Sequence, residues 1–155
     1  MFLLVLALAS CATDPLPRDY SGPTASIEDF GRYEDDSRAV MYFVSEVNGK
    51  RISESLSATR NRNRGRGFQM DLYIVTRAVP AEKIKLKLEG RTMYATPIQE
   101  LWNSGSMLSV SQVIELDAQQ GAQYIVNGVL QEKGSAVWLE DKKTKEKVGV
   151  PVAVR

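Results

Sequence analysis

Between Lys83 and Glu89 apolar and charged residues alternate without a break: Ile84, Leu86 and Leu88 against Lys83, Lys85, Lys87 and Glu89. A period of two sends neighbouring side chains to opposite faces of an extended chain, so this stretch has one dry and one wet face. The same signature, in shorter and less regular form, recurs through most of the sequence. Ala39 to Val44 is a near-continuous apolar run whose length fits a strand covered on both faces. Asn48-Gly49 follows it, a pair suited to the positive φ angles of a type I′ hairpin turn, and Ile52–Thr59 reads as the weak return strand. Phe68, Met70, Leu72 and Ile74 alternate with polar partners and predict another strand. Val79-Pro80 then turns the chain into the Lys83–Glu89 segment.

Downstream, Thr92–Thr96 predicts a short strand and Thr96–Gly105 a loop with at most one helical turn, Pro97 lying near its start. Leu108–Leu116, Tyr124–Leu130 and Ser135–Glu140 predict three further strands. Lys142–Lys147 predicts a basic loop, and Val148–Val154 a last strand whose Pro151 suits an edge position. Turn signals every 8–14 residues, with no sustained helical period, predict an all-β fold: a single antiparallel β-sandwich of about seven to eight strands.

Length sets one domain: 155 residues can bury roughly 65–70 % of their unfolded surface and hold a core without disulfides. A net charge of +1 with 43 % apolar residues argues against a disordered chain and gives no global signature of a nucleic-acid binder. There is no His and a single Cys, so imidazole or thiolate metal sites and Ser-His-Asp or Cys-His catalysis lack their parts. Phosphate-cradling glycine motifs are missing as well. No metal, no cofactor and no catalytic residue is expected, and any catalysis would have to run on carboxylates, Lys or Tyr.

The first eight residues are almost wholly apolar, too short to span a membrane, and end in the small-residue stretch Leu8-Ala9-Ser10-Cys11. This stretch resembles the lipobox of bacterial lipoproteins. The resemblance implies cleavage between Ser10 and Cys11, acylation of the Cys11 thiol, and a lipid anchor in the cell envelope. Ala12 after the Cys, in place of the Asp that commonly signals inner-membrane retention, implies the outer membrane, facing the periplasm. No Lys or Arg precedes Arg18, so either the true start lies upstream or the α-amino group alone supplies the leader's positive charge. The resulting division is a signal peptide at 1–10, a lipidated Cys and flexible tether at 11–36, and the sandwich at 37–155. The tether reading rests on scattered Pro15, Pro17, Gly22 and Pro23 and on the acidic group from Glu28 to Asp36, which includes Asp29.

Gly121-x-x-Tyr124 at a turn into a strand is similar to the tyrosine corner of immunoglobulin-like sandwiches. The Tyr124-x-Val-x-Gly and Val137-Trp-Leu-Glu-Asp stretches resemble small envelope lipoproteins with immunoglobulin- or transthyretin-like sandwiches, whose activities are largely unassigned.

The strongest candidate for a binding surface is the run Arg60, Arg62, Arg64 and Arg66, read as an exposed loop suited to bidentate contact with phosphate or carboxylate. Lys83, Lys85 and Lys87 would extend it if they lie on the same side. Otherwise the arginines are a solvated loop and the lysines guard a strand edge. Trp102, beside Leu101 in an apparent loop, is either a partner anchor or buried under the end of the sandwich. Glu140 with Asp141, or Glu54 with Asp71, are the carboxylate pairs acid/base chemistry would need. Anchoring does not need the arginines: a basic residue near an anionic surface is worth about 1 kcal/mol, against about 0.8 kcal/mol for each buried acyl CH₂. The expectation is a non-catalytic envelope lipoprotein whose sandwich binds an envelope protein or an anionic polymer. An inhibitor using the arginine run, or a carboxylate-dependent wall hydrolase, are the alternatives.

Overall fold

The computed structural model describes residues 13–153. Two sheets pack face to face without closing into a barrel. The strands are β1 (Thr24–Glu28), β2 (Phe30–Asp35), β3 (Arg38–Val47), β4 (Lys50–Arg51), β5 (Thr76–Pro80), β6 (Lys83–Tyr94), β7 (Ser109–Asp117), β8 (Gln123–Val129), β9 (Ala136–Asp141), β10 (Lys147–Val148) and β11 (Val150–Pro151). Two helices, α1 (Ser55–Arg62) and α2 (Pro97–Trp102), interrupt them. One sheet has the order β10-β9-β8-β1-β5 and the other β11-β7-β6-β3-β2, with β4 paired to β3. The all-β sandwich expected from the sequence is therefore the fold, and eight of its strands have five residues or more. It departs from a purely antiparallel arrangement at one place, where β1 runs parallel to β8.

The alternation of β6 sets the layers. Ile84, Leu86 and Leu88 are at most 1 % exposed and meet Val40, Tyr42 and Val44 of β3 and Ile114 and Leu116 of β7 in one cluster. Ile27, Val79, Val126 and Leu139 close that cluster from the other sheet. Tyr42 occupies its middle, and the two glycines it faces leave room for its ring. A Cβ at Gly128 would overlap the ring and the Ala136 carbonyl, and one at Gly90 would come within 2.8 Å of it. Burial pushes the Tyr42 phenol up from its ordinary pKa. The Tyr124 hydroxyl, at the start of β8, accepts a hydrogen bond from the Gln119 backbone at 3.1 Å and ties the turn before β8 to that strand.

Strand β3 is buried on both faces, as its unbroken apolar run requires. Its outer residues Ala39, Met41 and Phe43 form a second cluster with Met93 of β6, covered by Leu56 of α1 and by Met70 and Leu72. Asn48 and Gly49 have φ of +50° and +76°, the pair of positive values that the hairpin between β3 and β4 demands.

Three expectations are corrected. The flexible tether to Asp36 is not one in the described residues. Thr13 is bound to Arg51, and Thr24 to Asp35 form β1 and β2, with Ile27 and Asp29 fully buried. The domain boundary at 36/37 therefore falls inside the sandwich. Ile52–Thr59 is not a return strand. Lys50 and Arg51 pair with β3, the Ile52 amide adds one bond to the Ser45 carbonyl at 3.1 Å, and the chain then enters α1, whose N-cap Glu54 accepts from the backbone of Leu56 and Ser57. Phe68–Val75 joins no sheet, and Phe68 lies in a turn. The signal peptide expected at 1–10 and the lipidated Cys11 lie outside the described residues.

Candidate functional site

The chain from Met70 to Val75 is a strap held mostly by side chains, with one backbone bond, from the Asp29 amide to the Val75 carbonyl at 3.0 Å. Ser55, Thr59 and Asn63 recur every four residues along one face of α1 and its C-cap. The Ser55 hydroxyl accepts from the Val75 amide at 2.8 Å, Thr59 Oγ1 from the Tyr73 amide at 2.9 Å, and Asn63 Oδ1 from the Asp71 amide at 2.8 Å. Asn63 Nδ2 returns a bond to the Asp71 carbonyl at 2.8 Å. Four helical residues rise about 6.0 Å and two extended residues span about 6.6 Å, so the two repeats keep step. On the other edge, the Tyr33 hydroxyl donates to the Met70 carbonyl and accepts from the Leu72 amide, both at 3.0 Å.

This assembly is pinned to both sheets by a buried ion pair. Asp29, between β1 and β2, is fully buried, and Arg77 of β5 is 8 % exposed. The guanidinium donates to both carboxylate oxygens, at 2.7 and 2.6 Å. The same carboxylate accepts from the Val44 amide at 3.1 Å and from the Ser55 amide and hydroxyl at 3.0 and 2.8 Å. Five donors satisfy one carboxylate, so the charge is tolerated without water. Arg77 also keeps β5 attached to the start of α1 through the Ser53 carbonyl, at 3.4 Å.

Between α1 and α2 this framework leaves a groove of about 400 Å³, within the size range of ligand sites. Met70, Met93 and Tyr94 make its nearly buried floor, and Arg60, Arg64 and Glu100 stand at its walls. Arg60 reaches across to Glu100 at 2.7 Å and joins the helices. A capping box at Thr96 and Gln99, with Pro97 in the first turn, starts α2 and fixes its direction. Pro97 and Glu100 then face the groove. Ile98, Leu101 and Trp102 share the outward side by their i, i+3, i+4 spacing, and Leu101 and Trp102 are 72 % and 71 % exposed. Of the two readings of Trp102, burial under the sandwich end is the one the structure rejects. Phe68, which follows the groove-lining Gly67, is also exposed.

The arginine run is not a bare loop. Arg60 and Arg62 form the last turn of α1, where a cation complements the helix dipole. Gly65 and Gly67, with φ of +82° and +65°, turn the chain back into the strap. Arg66 pairs with Asp71 and Arg62 lies over the Tyr73 ring at 5.2 Å. Arg64 has no carboxylate partner among the described residues and touches only Asn61 Oδ1, at 3.5 Å.

Lys83, Lys85 and Lys87 point to the same outer sheet face but do not join the arginines. Lys85 and the groove residue Met93 are eight residues apart on β6, about 27 Å of strand. The lysines are also paired: Lys83 and Lys85 flank Glu115 at 3.2 and 3.7 Å, and Lys87 bridges to Glu46 at 3.1 Å. The Lys83 ammonium beside Glu115, assisted by Lys85, holds its carboxyl below the usual carboxylate pKa.

Each carboxylate singled out for acid/base work has a structural partner. Glu54 caps α1, Asp71 pairs with Arg66, and Glu140 accepts from the Trp138 indole at 2.6 Å. Asp141 accepts from the amides of Lys143 and Thr144, at 2.8 and 3.0 Å. Among the described residues no group of three or more His, Cys, Asp or Glu could hold a metal ion, and no helix is long and apolar enough to cross a membrane.

The residues that sequence reasoning missed are Asp29, Arg77 and the Ser55/Thr59/Asn63 stripe. The stripe's four-residue spacing was the available signal, whereas nothing local pairs Asp29 with a partner 48 positions away. Comparison with protein-family models, curated proteins and solved structures gives no match, so the site is interpreted from its own residues and geometry.

Proposed function

We propose that this chain is a non-catalytic envelope lipoprotein, anchored through Cys11, whose sandwich binds a macromolecular partner at the groove between α1 and α2. The observation that carries the binding role is the groove itself: a methionine floor, Arg64 without a carboxylate partner among the described residues, and the exposed Ile98, Leu101 and Trp102 beside it. Methionine-lined floors adapt to partner side chains, and Trp and Arg are the residues that most often dominate binding energy. Support for the anchor is the Leu8-Ala9-Ser10-Cys11 stretch, and Ala12 supports the outer membrane. The favoured partner is an envelope protein with an apolar contact patch and a carboxylate for Arg64. An inhibitor of acidic clefts or a polyanion binder is less well supported, because Arg60, Arg62 and Arg66 are engaged within the domain.

The test is fractionation together with site-specific crosslinking in intact cells. Wild-type protein is expected in the membrane fraction and Cys11→Ser in the soluble fraction. A photo-crosslinker at Trp102 is expected to give a discrete adduct that Arg64→Glu abolishes, whereas the same crosslinker at exposed Lys143 gives none. Identical labelling at both positions overturns the binding role, and a soluble wild-type protein overturns the anchor.

A further inference from the structure

The first described residue is already locked in place. The amide and hydroxyl of Thr13 both donate to the Arg51 carbonyl, at 3.0 and 3.1 Å, and Thr13 forms a parallel bridge with Ile52. The residues after it stay on the same end of the sandwich. Leu16 bonds to Asp14, Tyr20 to the carbonyls of Pro17 and Pro23, and Ala81 to Pro23. Residues 13–23 therefore do not act as a spacer. Cys11 is two residues from Thr13, and two residues reach at most about 7 Å.

That end is the one carrying the β3–β4 hairpin. Asn48 holds it rigidly against β6 through two bonds to Lys85, both 2.8 Å. Exposed Lys50 and Arg51 on the hairpin have no carboxylate partner among the described residues, whereas Lys83 and Lys85 nearby share Glu115. The groove lies at the other end: β6 pairs Leu86 with Val47 beside the hairpin and Tyr94 with Arg38 at its far end, where α2 begins. Eight residues of strand, about 27 Å, separate these two ends of β6, and the outer face between them is bridged by a pocket lined by Arg51 and Arg60.

We propose that the hairpin end of the sandwich rests on the headgroups of the bilayer that holds the Cys11 anchor, with Lys50 and Arg51 meeting lipid phosphates and the α1–α2 groove facing away from that membrane. This rests on the anchor reading above. The short connection leaves the domain little freedom to turn over, and the two hairpin cations match the charge of the surface it meets. The exposed Trp102 is then out of reach of the anchoring bilayer and available to a partner across the periplasmic space.

The test uses the full acylated chain in phosphatidylethanolamine–phosphatidylglycerol liposomes containing a headgroup-spin-labelled lipid. A fluorophore is placed at Glu82→Cys, on the hairpin end, or at Gly105→Cys, just beyond α2. Quenching is expected to be several-fold stronger at position 82. Inserting about twenty Gly and Ser residues before Thr13, a spacer of about 25 Å, is expected to reduce it. Equal quenching at the two positions, or stronger quenching at 105, overturns the orientation. Unchanged quenching in a Lys50→Glu, Arg51→Glu variant overturns the phosphate contact. Mass spectrometry of the same preparation separates the two levels. A bare Cys11 thiol overturns the anchor and the orientation together, whereas an acylated chain with equal quenching overturns the orientation alone.

Discussion

Removing one member of the buried Asp29–Arg77 pair tests how the two sheets and α1 are held together. Asp29→Ala leaves a guanidinium that is 6 % exposed in its side chain facing no carboxylate, and strands the amides of Val44 and Ser55 and the Ser55 hydroxyl. Breaking a buried pair from one side costs about 3–5 kcal/mol, and the stranded donors put this variant at the upper end. Arg77→Met is milder. The carboxylate keeps the three donors from Val44 and Ser55, so the expected loss is about 2–3 kcal/mol. A domain of this size shifts its Tm by about 2–4 °C per kcal/mol. The Asp29 variant should therefore melt about 8–20 °C below the parent, against a total stability of about 5–15 kcal/mol. Replacing both, Asp29→Ala with Arg77→Met, leaves no unpaired charge and should cost less than the sum of the single changes. The assay is urea denaturation of the Cys11→Ser chain, read as a double-mutant cycle. If Arg77→Met costs as much as Asp29→Ala, or if the two effects simply add, the carboxylate is not the shared anchor described here.

Two further changes probe other parts of the fold. Thr59→Val removes the hydroxyl that meets both backbone groups of Tyr73. It should cost about 1–2 kcal/mol and speed hydrogen exchange at Tyr73 more than in β6, and uniform exchange throughout would contradict the strap's independence. The Asp141 carboxyl lies below its ordinary value of 3.8 because the Thr144 and Lys143 amides hydrogen-bond its charged form. A lowered folded pKa gives stability that is present above the ordinary value and lost as pH falls through the folded one. Asp141→Asn should therefore flatten the acid side of the stability profile and leave its alkaline side unchanged, as measured by melting temperature against pH.

Much of the sandwich could be read locally, because strand period and turn chemistry are local properties. The alternation of Lys83–Glu89, the apolar run in β3 and the Asn48-Gly49 turn each carry their own instruction. Strands β1 and β2 were hidden because Ala25 and Ile27 alternate over only five residues between a Pro-rich stretch and an acidic one. Asp29, one of the acidic group read as part of the tether, is fully buried. Its partner lies on β5, and only the folded chain brings them together. Helix α1 was misread for a related reason: the alternation from Ile52 to Leu56 fits a strand, but Glu54 caps the amides that follow it, and Ser55, Thr59 and Asn63 bond a segment that had not yet been placed. At the groove, the identities of Arg64 and Trp102 were legible, whereas their neighbours were not. The groove depends on the crossing of α1 and α2, which no local pattern encodes.

The strap has a consequence for the order of folding. Most of its backbone partners sit on an eight-residue helix and its C-cap, the rest on Tyr33 and Asp29, and helices that short do not persist alone in water. Neither piece can therefore form first, and both must condense onto a sheet already laid down. Until then Met41, Phe43 and Met93 are open to solvent beside a bare strap. A newly made chain passes through a stage with an apolar outer wall, and during that interval a holding chaperone or a second nascent copy would find something to grip.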